Sequence, residues 1–418
     1  MTAQTVNAMA GDPHASDGRD GASLGPAHWG GVFAMTLCVF ALIASEFMPV
    51  SLLTPMATDL HVTEGMAGRG IAISGAFAVL TSLSIAMIAR KVNRKSLLLV
   101  LTAMMCVSGA VVAMAPNYLT YMAGRALIGV VVGGFWSLSA STAMRLVPPA
   151  KVPRALAIFN GGNALATVVA APLGSYLGAS VGWRGAFFCL VPVALIAFAW
   201  MWFSLPSMKP QANAGGHAPT HAPISGNVFR LLKNRLVSLG MLAVGVFFMG
   251  QFALFTYLRP FLETVTQVDV STLSLMLLAL GVSGFIGTTV IGLFLKLGFY
   301  STLTVIPVLM AAIAAALIFV GASVNATLVL LCIWGAVATG APVGWCIWLA
   351  KSLPKDAEAG GGLMVAVVQL SIALGSTVGG MLFDASGYRS TFAFSAGLLL
   401  VAAGLVFYTQ RAEQAQAV

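Results

Sequence analysis

The stretch from Phe40 to Pro55, FALIASEFMPVSLLTP, places Glu46 in the middle of an apolar segment long enough to cross a bilayer. A charged carboxylate within the hydrocarbon costs several kcal/mol, so an acid inside a span is a functional candidate by default. Of the 12 acidic residues in the chain, Glu46 alone is expected well inside an apolar segment. We interpret it as a proton-binding group that functions in the membrane. The alternative is a structural acid that stays protonated or hydrogen-bonded.

The composition indicates a protein that crosses the membrane many times. The chain has 418 residues, of which 59% are hydrophobic and only 8% are charged, too few charges to cover a water-facing surface. A span needs roughly 20 mostly apolar residues, and the chain divides into about twelve such segments. The predicted fold class is an all-α membrane protein with twelve transmembrane helices in two pseudo-symmetric six-helix bundles.

The basic residues are distributed unequally between the two sides of these spans. If the N-terminus is inside, sixteen of the 21 lysines and arginines fall in inner segments, and Arg125 lies inside a span. The other four, which fall in outer segments, are Arg69, Arg184, Arg259 and Arg389. This asymmetry follows the positive-inside rule, so both termini are predicted to be cytoplasmic. The net charge of +9 therefore gives no indication of a nucleic-acid partner. No short apolar core with a cleavage site precedes the first span, so no cleaved signal peptide is expected.

A change of composition divides the chain into two halves. Residues 206–226, PSMKPQANAGGHAPTHAPISG, are rich in Pro, Gly, His and Ala and are typical of a flexible linker. His217 and His221 within it are interpreted as a solvated pair and not as a metal site. The expected organisation is a disordered cytoplasmic tail at 1–28, an N-terminal six-helix bundle at 29–205, a cytoplasmic linker at 206–235, a C-terminal six-helix bundle at 236–410 and a cytoplasmic tail at 411–418.

The two halves repeat each other at an offset of 205 residues. The offset is set by anchors at both ends of each half, where Glu46 and Pro55 recur as Gln251 and Pro260, and Gly182-Trp183-Arg184 recurs as Gly387-Tyr388-Arg389. An internal repeat in an all-helical membrane protein implies two bundles that meet at a central cavity, with the substrate site near the midplane. At this position the first half has the ionisable Glu46, whereas the second half has the neutral amide of Gln251.

A second group of candidate residues consists of polar and aromatic side chains inside the expected spans. Arg125 cannot usefully lose its proton, so it needs carboxylate, backbone or water partners, unless it lies near enough to one membrane face to snorkel. Aromatic faces combined with amides suit a planar heterocycle with hydrogen-bonding edges, although lipid-facing aromatics and amides satisfied between helices are equally compatible with the pattern. The candidates for the cavity are Phe47, Phe135, Trp136, Asn160, Asn163, Gln251, Tyr257, Trp345 and Gln369.

No sequence signature of ATP-driven transport or of enzymatic turnover is present. The chain has no phosphate-binding glycine-rich loop with its Lys and Ser/Thr, no His-Glu-x-x-His and no triad context. The five cysteines all fall within the expected spans and lack metal-ligand spacing, so neither a metal site nor a disulfide framework is predicted. We expect a protein that is not an enzyme and needs no cofactor.

The chain contains three motifs, RALIGVVVGG, AAPLGSYLG followed by Gly-Trp-Arg, and ARKVNRK, and together they resemble the major facilitator superfamily, specifically its twelve-span drug:proton antiporter branch. RALIGVVVGG is similar to the fourth-span motif of that family, which implies a role in proton coupling for Arg125. AAPLGSYLG, followed by Gly-Trp-Arg, resembles the fifth-span antiporter signature and implies helix bending at Pro172 and Gly174. ARKVNRK occupies the place of the cytoplasmic gating motif and matches it in part, with Arg94 and Lys95 retained.

Three longer stretches, EFMPVSLLTPMATDL, GGFWSLSASTAMRLVPP and GQFALFTYLRPF, look like the bacterial purine ribonucleoside efflux pumps within this branch. That resemblance implies export of inosine, guanosine and analogues by proton antiport across the bacterial inner membrane. The implied partners are a small-molecule substrate, protons and the lipid bilayer, and the protein is expected to be monomeric. Sugar (arabinose-like) or multidrug efflux by the same mechanism remains an alternative. A non-transporting membrane sensor is a second alternative. A passive channel is less favoured, because a channel needs no single titratable site.

Overall fold

A computed structural model describes residues 27–89, 91–148, 151–208, 228–353 and 357–417. All regular secondary structure in these residues is helical, as the apolar segments predict. The predicted N-terminal tail, apart from its last two residues, and the middle of the predicted linker lie outside the described residues. A 3-10 helix at Val228–Lys233 precedes the second half of the chain. The α-helices are α1 (Trp29–Asp59), α2 (Glu64–Ala89), α3 (Arg94–Ala113), α4 (Tyr118–Arg145), α5 (Val152–Ser204), α6 (Arg235–Phe255), α7 (Leu258–Thr264), α8 (Val270–Leu297), α9 (Phe299–Val320), α10 (Val324–Ser352), α11 (Ala357–Ser386) and α12 (Tyr388–Ala417).

Eleven helical segments of the described residues are long and apolar enough to cross a membrane. One of them contains most of α5, whose 53 residues would extend about 80 Å at 1.5 Å per residue, against a hydrocarbon core of about 30 Å. The helix is interrupted at Gly182, where φ is 76° and ψ is 165°. Gly387, which is 205 residues later, has φ 75°. A positive φ, which glycine adopts without steric cost, thus occurs at both copies of the repeated Gly-aromatic-Arg sequence.

The seventh span, which the sequence predicts at Leu236–Leu258, extends further along the chain in the structure. α6 and α7 are separated only by Thr256 and Tyr257, and together they form one membrane-crossing segment, Arg235–Thr264. This segment includes Arg259, which the sequence interpretation placed in an outer loop. Arg259 is 6% exposed. Arg125 is therefore joined by a second buried arginine within a candidate span, because the chain continues as helix beyond Leu258.

Most helix packing occurs within the two halves of the chain, which are α1–α5 and the 3-10 helix with α6–α12. Within the first half α1 packs on α5 and α2 on α4, and within the second α8 packs on α10 and α6 on α11 and α12. Large apolar clusters form separately in the two halves. Contacts between the halves are made chiefly by α2 with α11 and by α5 with α8. We call this contact region the joint.

Small residues allow the helix backbones to approach closely at the joint. A Cβ atom added to Gly75 of α2 would lie 2.7 Å from the carbonyl oxygen of Gln369 in α11. One added to Gly281 of α8 would lie 2.8 Å from the Cα of Val168 in α5. Neither distance leaves room for a side chain, so a larger residue at either position would separate the two halves.

The joint extends from the middle of the helices to one of their ends. Here Asp384, near the end of α11, accepts hydrogen bonds from the Thr63 hydroxyl at 2.7 Å and the Gly65 N–H at 3.0 Å, at the beginning of α2. Ser274 of α8 donates to Ser175 of α5 at 2.9 Å. We call the end of the helices that carries these contacts the closed end. The opposite, basic end carries the cations at the helix ends, including Arg94, Lys95, Arg145, Lys151, Lys296 and Lys351.

Candidate functional site

Glu46 lies at the joint. It is in the middle of α1 and is 4% exposed. Its Oε1 accepts a hydrogen bond from Nε2 of Gln369 in α11, with a donor–acceptor distance of 3.1 Å. Gln369 is itself 7% exposed. Two residues that are 323 positions apart in the sequence therefore join the two halves of the chain through a buried carboxyl group.

Arg125 lies behind Glu46, in α4 of the same half, and is 1% exposed. Its guanidinium donates to the backbone carbonyls of Ser45 at 2.7 Å, Glu46 at 3.0 Å and Gly70 at 3.1 Å. It also donates to the Ser74 hydroxyl at 3.2 Å. Arg125 is fully inside the protein, so the snorkelling alternative does not describe it. These four bonds connect α4 to both α1 and α2.

The sequence of α1 explains why the Ser45 carbonyl needs a donor from outside the helix. Pro49 stands inside α1, four residues after Ser45. In a regular helix the N–H of residue 49 would bond this carbonyl, but proline has no N–H. A buried carbonyl without a partner costs about 1–3 kcal/mol. The short bond from Arg125 satisfies the carbonyl that Pro49 leaves free.

Arg125 and Gln369 thus hold different parts of Glu46. The arginine binds the backbone of residues 45 and 46 from within the same half, and the glutamine binds the carboxyl group from the other half. The backbone position of Glu46 is fixed whatever the charge of its side chain. A change in protonation would instead act on the bond between the two halves, since an ionised carboxylate accepts hydrogen bonds only, whereas the protonated form can also donate one.

An apolar layer adjoins this bond across the joint. The rings of Phe47 and Phe252 are stacked with centroids 5.7 Å apart. Val50, Ile71 and Ile372, together with these rings, form a cluster to which both halves contribute. A second mixed cluster contains Leu53, Ala57, Ala67 and Tyr257. Because these groups pack between the two halves, they separate Glu46 from water at the closed end.

The structure distributes the nine predicted cavity residues over several environments. Phe47 and Gln369 contact the other half at the joint, and Gln251 is half-buried with its Oε1 lacking a protein hydrogen-bond partner among the described residues. Asn160 is exposed and Asn163 and Trp136 are half-buried, all in the first half. Phe135 and Trp345 lie in the apolar clusters of their own halves, at 0% and 2% exposure. Tyr257, at 0% exposure, donates to the Ser376 carbonyl at 2.7 Å and stacks on Phe383 near the closed end.

The residues assigned to gating and helix bending lie at two separate places. Arg94 and Lys95 begin α3 at the basic end, where Asn93 caps the helix by accepting from the Lys95 N–H. Pro172 and Gly174 lie inside α5, and Gly174 is packed against the side chains of Ser51 and Met48 in α1. The structure keeps these residues apart from the Glu46–Gln369 bond.

Arg259 is the functional candidate that the sequence interpretation missed. Its Nε donates to Oε1 of Glu263 at 2.8 Å, and its Nη1 donates to the carbonyl of Ser51 in α1. The signal was available in the stretch TYLRPF, where the arginine directly precedes Pro260. Ending the seventh span at Leu258 assigned the next residue, Arg259, to an outer segment.

Comparisons with known proteins identify the family, two relatives and a protein of similar fold. The model of the Major Facilitator Superfamily matches residues 35–359. The chain is 63% identical over 385 residues to a protein of Pseudomonas aeruginosa named transcription regulatory protein OpdE, covering 92% of this chain and 94% of that protein. It is 39% identical over 379 residues to the purine ribonucleoside efflux pump NepI of Salmonella paratyphi B, covering 91% and 93%. A crystal structure of a bacterial homolog of the human lysosomal transporter Spinster superposes with a TM-score of 0.75 at 15% identity, covering 93% of this chain and 98% of that one.

Proposed function

Because the chain belongs to the Major Facilitator Superfamily, we propose that it is a proton-coupled antiporter that exports purine ribonucleosides such as inosine and guanosine. Members of this family are multi-pass membrane transporters of small molecules, which supports a transport function for this chain and not an enzymatic one. The similarity of this chain to the purine ribonucleoside efflux pump supports purine ribonucleosides as the substrate class. The buried bond between Glu46 and Gln369 is the observation that carries the proposal of proton coupling.

The proposed topology has twelve spans in two six-helix bundles in the bacterial inner membrane. The break at Gly182 divides α5 into two spans, which adds one to the eleven segments. The bundles are residues 29–205 and 236–410, connected by the linker at 206–235. By the positive-inside rule the basic end and both termini face the cytoplasm, and the closed end faces outward. The protein acts as a monomer in this proposal, since each chain supplies both halves of the joint.

Protonation of Glu46 is the step that couples the proton to movement of the halves. Burying an ionised carboxylate costs several kcal/mol, whereas a neutral carboxyl group with a hydrogen-bond partner is tolerated. A proton taken from outside therefore allows the joint to close around Glu46. The proton leaves when Glu46 becomes hydrated from the basic end. Arg125 keeps the backbone of Glu46 in place during both steps and favours the ionised form by its charge.

Nucleoside binding would compete with Glu46 for Gln369. A purine base presents donors and acceptors at its edge and an aromatic face, which match the amides of Gln369 and Gln251 and the ring of Phe47. Gln251 has a buried Oε1 available to accept a hydrogen bond from a base. If the base takes the Gln369 amide, Glu46 loses its partner and releases its proton to the cytoplasm. The substrate then moves outward only after the proton has left, which is the order that antiport requires.

The proton gradient supplies enough free energy for this exchange. Entry of one proton is driven by about 2.3 kcal/mol per 100 mV of membrane potential. Each pH unit adds about 1.4 kcal/mol. With one proton exchanged for one neutral nucleoside, a potential of about 100 mV and a gradient of about one pH unit support an outward substrate gradient of several hundredfold.

Uptake of labelled inosine into inverted membrane vesicles tests this function. With the vesicle interior acidified, the parent protein is expected to accumulate inosine, and collapse of the pH gradient is expected to abolish the accumulation. Vesicles without the protein provide the background, and unlabelled guanosine is expected to compete. Equal uptake with and without the protein would reject purine ribonucleoside export.

A non-transporting membrane sensor is the second candidate function. It is favoured by one observation, the 63% identity to a protein named as a transcription regulatory protein. Counterflow in liposomes separates the two functions. A carrier exchanges labelled for unlabelled inosine across the liposome membrane without any gradient of total substrate, whereas a sensor that only binds inosine exchanges none.

A further inference from the structure

We propose that Arg259 holds the closed end shut by binding the backbone carbonyl of Ser51, an acceptor that Pro55 leaves without its helical donor. This inference rests on the proposed function, because an antiporter must open this end to release its substrate. It assigns to Arg259 a positioning role in the transport cycle that is separate from substrate and proton binding.

The guanidinium of Arg259 is bonded on two sides. In α7 of the second half, its Nε pairs with Glu263 one turn later, at 2.8 Å. From there its Nη1 donates across the joint to the Ser51 carbonyl in α1. The side chain of Arg259 is 7% exposed and that of Glu263 is 23% exposed, so the pair is largely removed from water. Glu263 therefore fixes the direction in which Arg259 points.

The acceptor exists because of the local sequence of α1. Pro55 is inside the helix and lies four residues after Ser51. It has no N–H to bond the Ser51 carbonyl, so that oxygen points out of the helical ladder toward a neighbouring donor. α1 contains the same arrangement earlier in the helix, where Pro49 frees the Ser45 carbonyl for Arg125. Each proline of α1 thus provides a carbonyl for a buried arginine.

The two arginines differ in the half to which they belong. Arg125 and Ser45 are in the same half, so their bond is compatible with both open and closed forms of the joint. Arg259 and Ser51 are in different halves, so opening of the closed end must separate them. A charge-assisted hydrogen bond in a largely dry site is lost in that movement, and the freed carbonyl has no helical donor to replace it. The bond therefore shifts the conformational equilibrium toward the closed form.

The population of the open form can be measured by the labelling rate of a single cysteine at the joint. Ser175 of α5 is 0% exposed and touches Ser274 of α8, so a thiol at this position reacts only when the closed end opens. The reporter is Ser175→Cys in a chain whose five native cysteines are replaced by alanine or serine. With a small water-soluble maleimide in excess, the labelling rate of purified protein is proportional to the open fraction.

Arg259→Gln is expected to raise this rate about tenfold or more, which corresponds to the loss of a hydrogen bond to a charged group. Pro55→Ala supplies a helical N–H to the Ser51 carbonyl, so in that background Arg259→Gln is expected to change the rate by only a few-fold. Arg184→Gln is the matched control at the same end, because Arg184 bonds Asp59 and the Ala115 carbonyl within the first half alone. It is expected to leave the rate within about twofold of the parent.

An unchanged rate in Arg259→Gln would overturn the proposal, and so would an equally large effect in the Pro55→Ala background. Arg259→Lys provides a second variant if the glutamine variant does not fold, since it keeps the charge but cannot donate to Glu263 and Ser51 as a planar fork. It is expected to give an intermediate rate, and a rate equal to that of the parent would again overturn the proposal. The readout needs neither substrate nor a proton gradient, so its failure is distinguishable from failure of inosine antiport.

Discussion

Replacement of Arg125 by methionine is the substitution whose effect can be worked out most fully from the structure. The guanidinium donates to three carbonyls and one hydroxyl. The Glu46 and Gly70 carbonyls have a non-proline residue four positions later in their helices, so they keep a helical donor when the arginine is removed. Only the Ser45 carbonyl, which faces Pro49, is left unpaired. Its burial without a partner costs about 1–3 kcal/mol.

A double-mutant cycle isolates this contribution. Pro49→Ala restores an N–H for the Ser45 carbonyl, so it is expected to recover about 1–2 kcal/mol in the Arg125→Met background and much less in the parent. The assay is thermal and denaturant unfolding of detergent-solubilised protein, followed by the fluorescence of its eight tryptophans. Equal effects of Pro49→Ala in the two backgrounds would refute the assignment of Arg125 as the donor that replaces the missing helical bond.

Three further predictions concern the backbone, a helix cap and the substrate. Gly182→Ala and Gly387→Ala are each expected to lower the melting temperature by a few degrees, because a side chain is strained at positive φ, whereas Gly361→Ala inside a helix serves as the control. Asp269 caps the beginning of α8, and hydrogen bonds from Thr272 hold its pKa below the usual value. The stabilisation from this cap is therefore complete above the unfolded pKa of about 3.9 and is lost as the pH falls through the lower pKa of the folded protein. Asp269→Asn should remove that acid dependence of the melting temperature. Inosine and guanosine are expected to raise the melting temperature of the purified protein, whereas arabinose and chloramphenicol are not; the opposite pattern would favour sugar or drug efflux.

The sequence was sufficient to predict the helical class, the family and the repeat. Long apolar segments leave a chain no other way to satisfy its backbone in lipid, so the helices follow from composition alone. The repeat was visible because anchors near both ends of each half recur at one offset. Two of these anchors, Gly182 and Gly387, have positive φ values of 76° and 75° in the structure.

The partners of the buried charges could not be predicted in the same way. Glu46 was recognised because a carboxyl group is rare in an apolar segment, but nothing in the sequence indicates that Gln369 reaches it from 323 residues away. For Arg125 the sequence indicated only a need for carboxylate, backbone or water partners, and the structure shows it bonded to the backbone of residues 45 and 46. Such pairings depend on how the helices pack, which periodicity does not specify.

The prolines of α1 carried more information than their positions suggested. Pro49 was part of the quoted stretch and Pro55 was used only to align the repeat. Each also identifies a carbonyl, four residues earlier, that needs a donor from another helix. Searching for a buried arginine for each such carbonyl would have found Arg259 as well as Arg125, since both arginines lie within membrane-crossing segments. Whether they bind would still have depended on the packing of α4 and α7 against α1.

The most direct test of proton coupling compares two transport modes in a single variant, Glu46→Gln. In proteoliposomes, counterflow of labelled inosine needs substrate binding and movement of the halves, but no net proton flux. Accumulation under an imposed pH gradient needs substrate binding, movement of the halves and net proton flux. We predict that Glu46→Gln retains counterflow and loses accumulation, while Glu64→Gln, a substitution in the first turn of α2 away from the Glu46–Gln369 bond, retains both. Accumulation of inosine by Glu46→Gln at the rate and extent of the parent would contradict the central role of this carboxyl group.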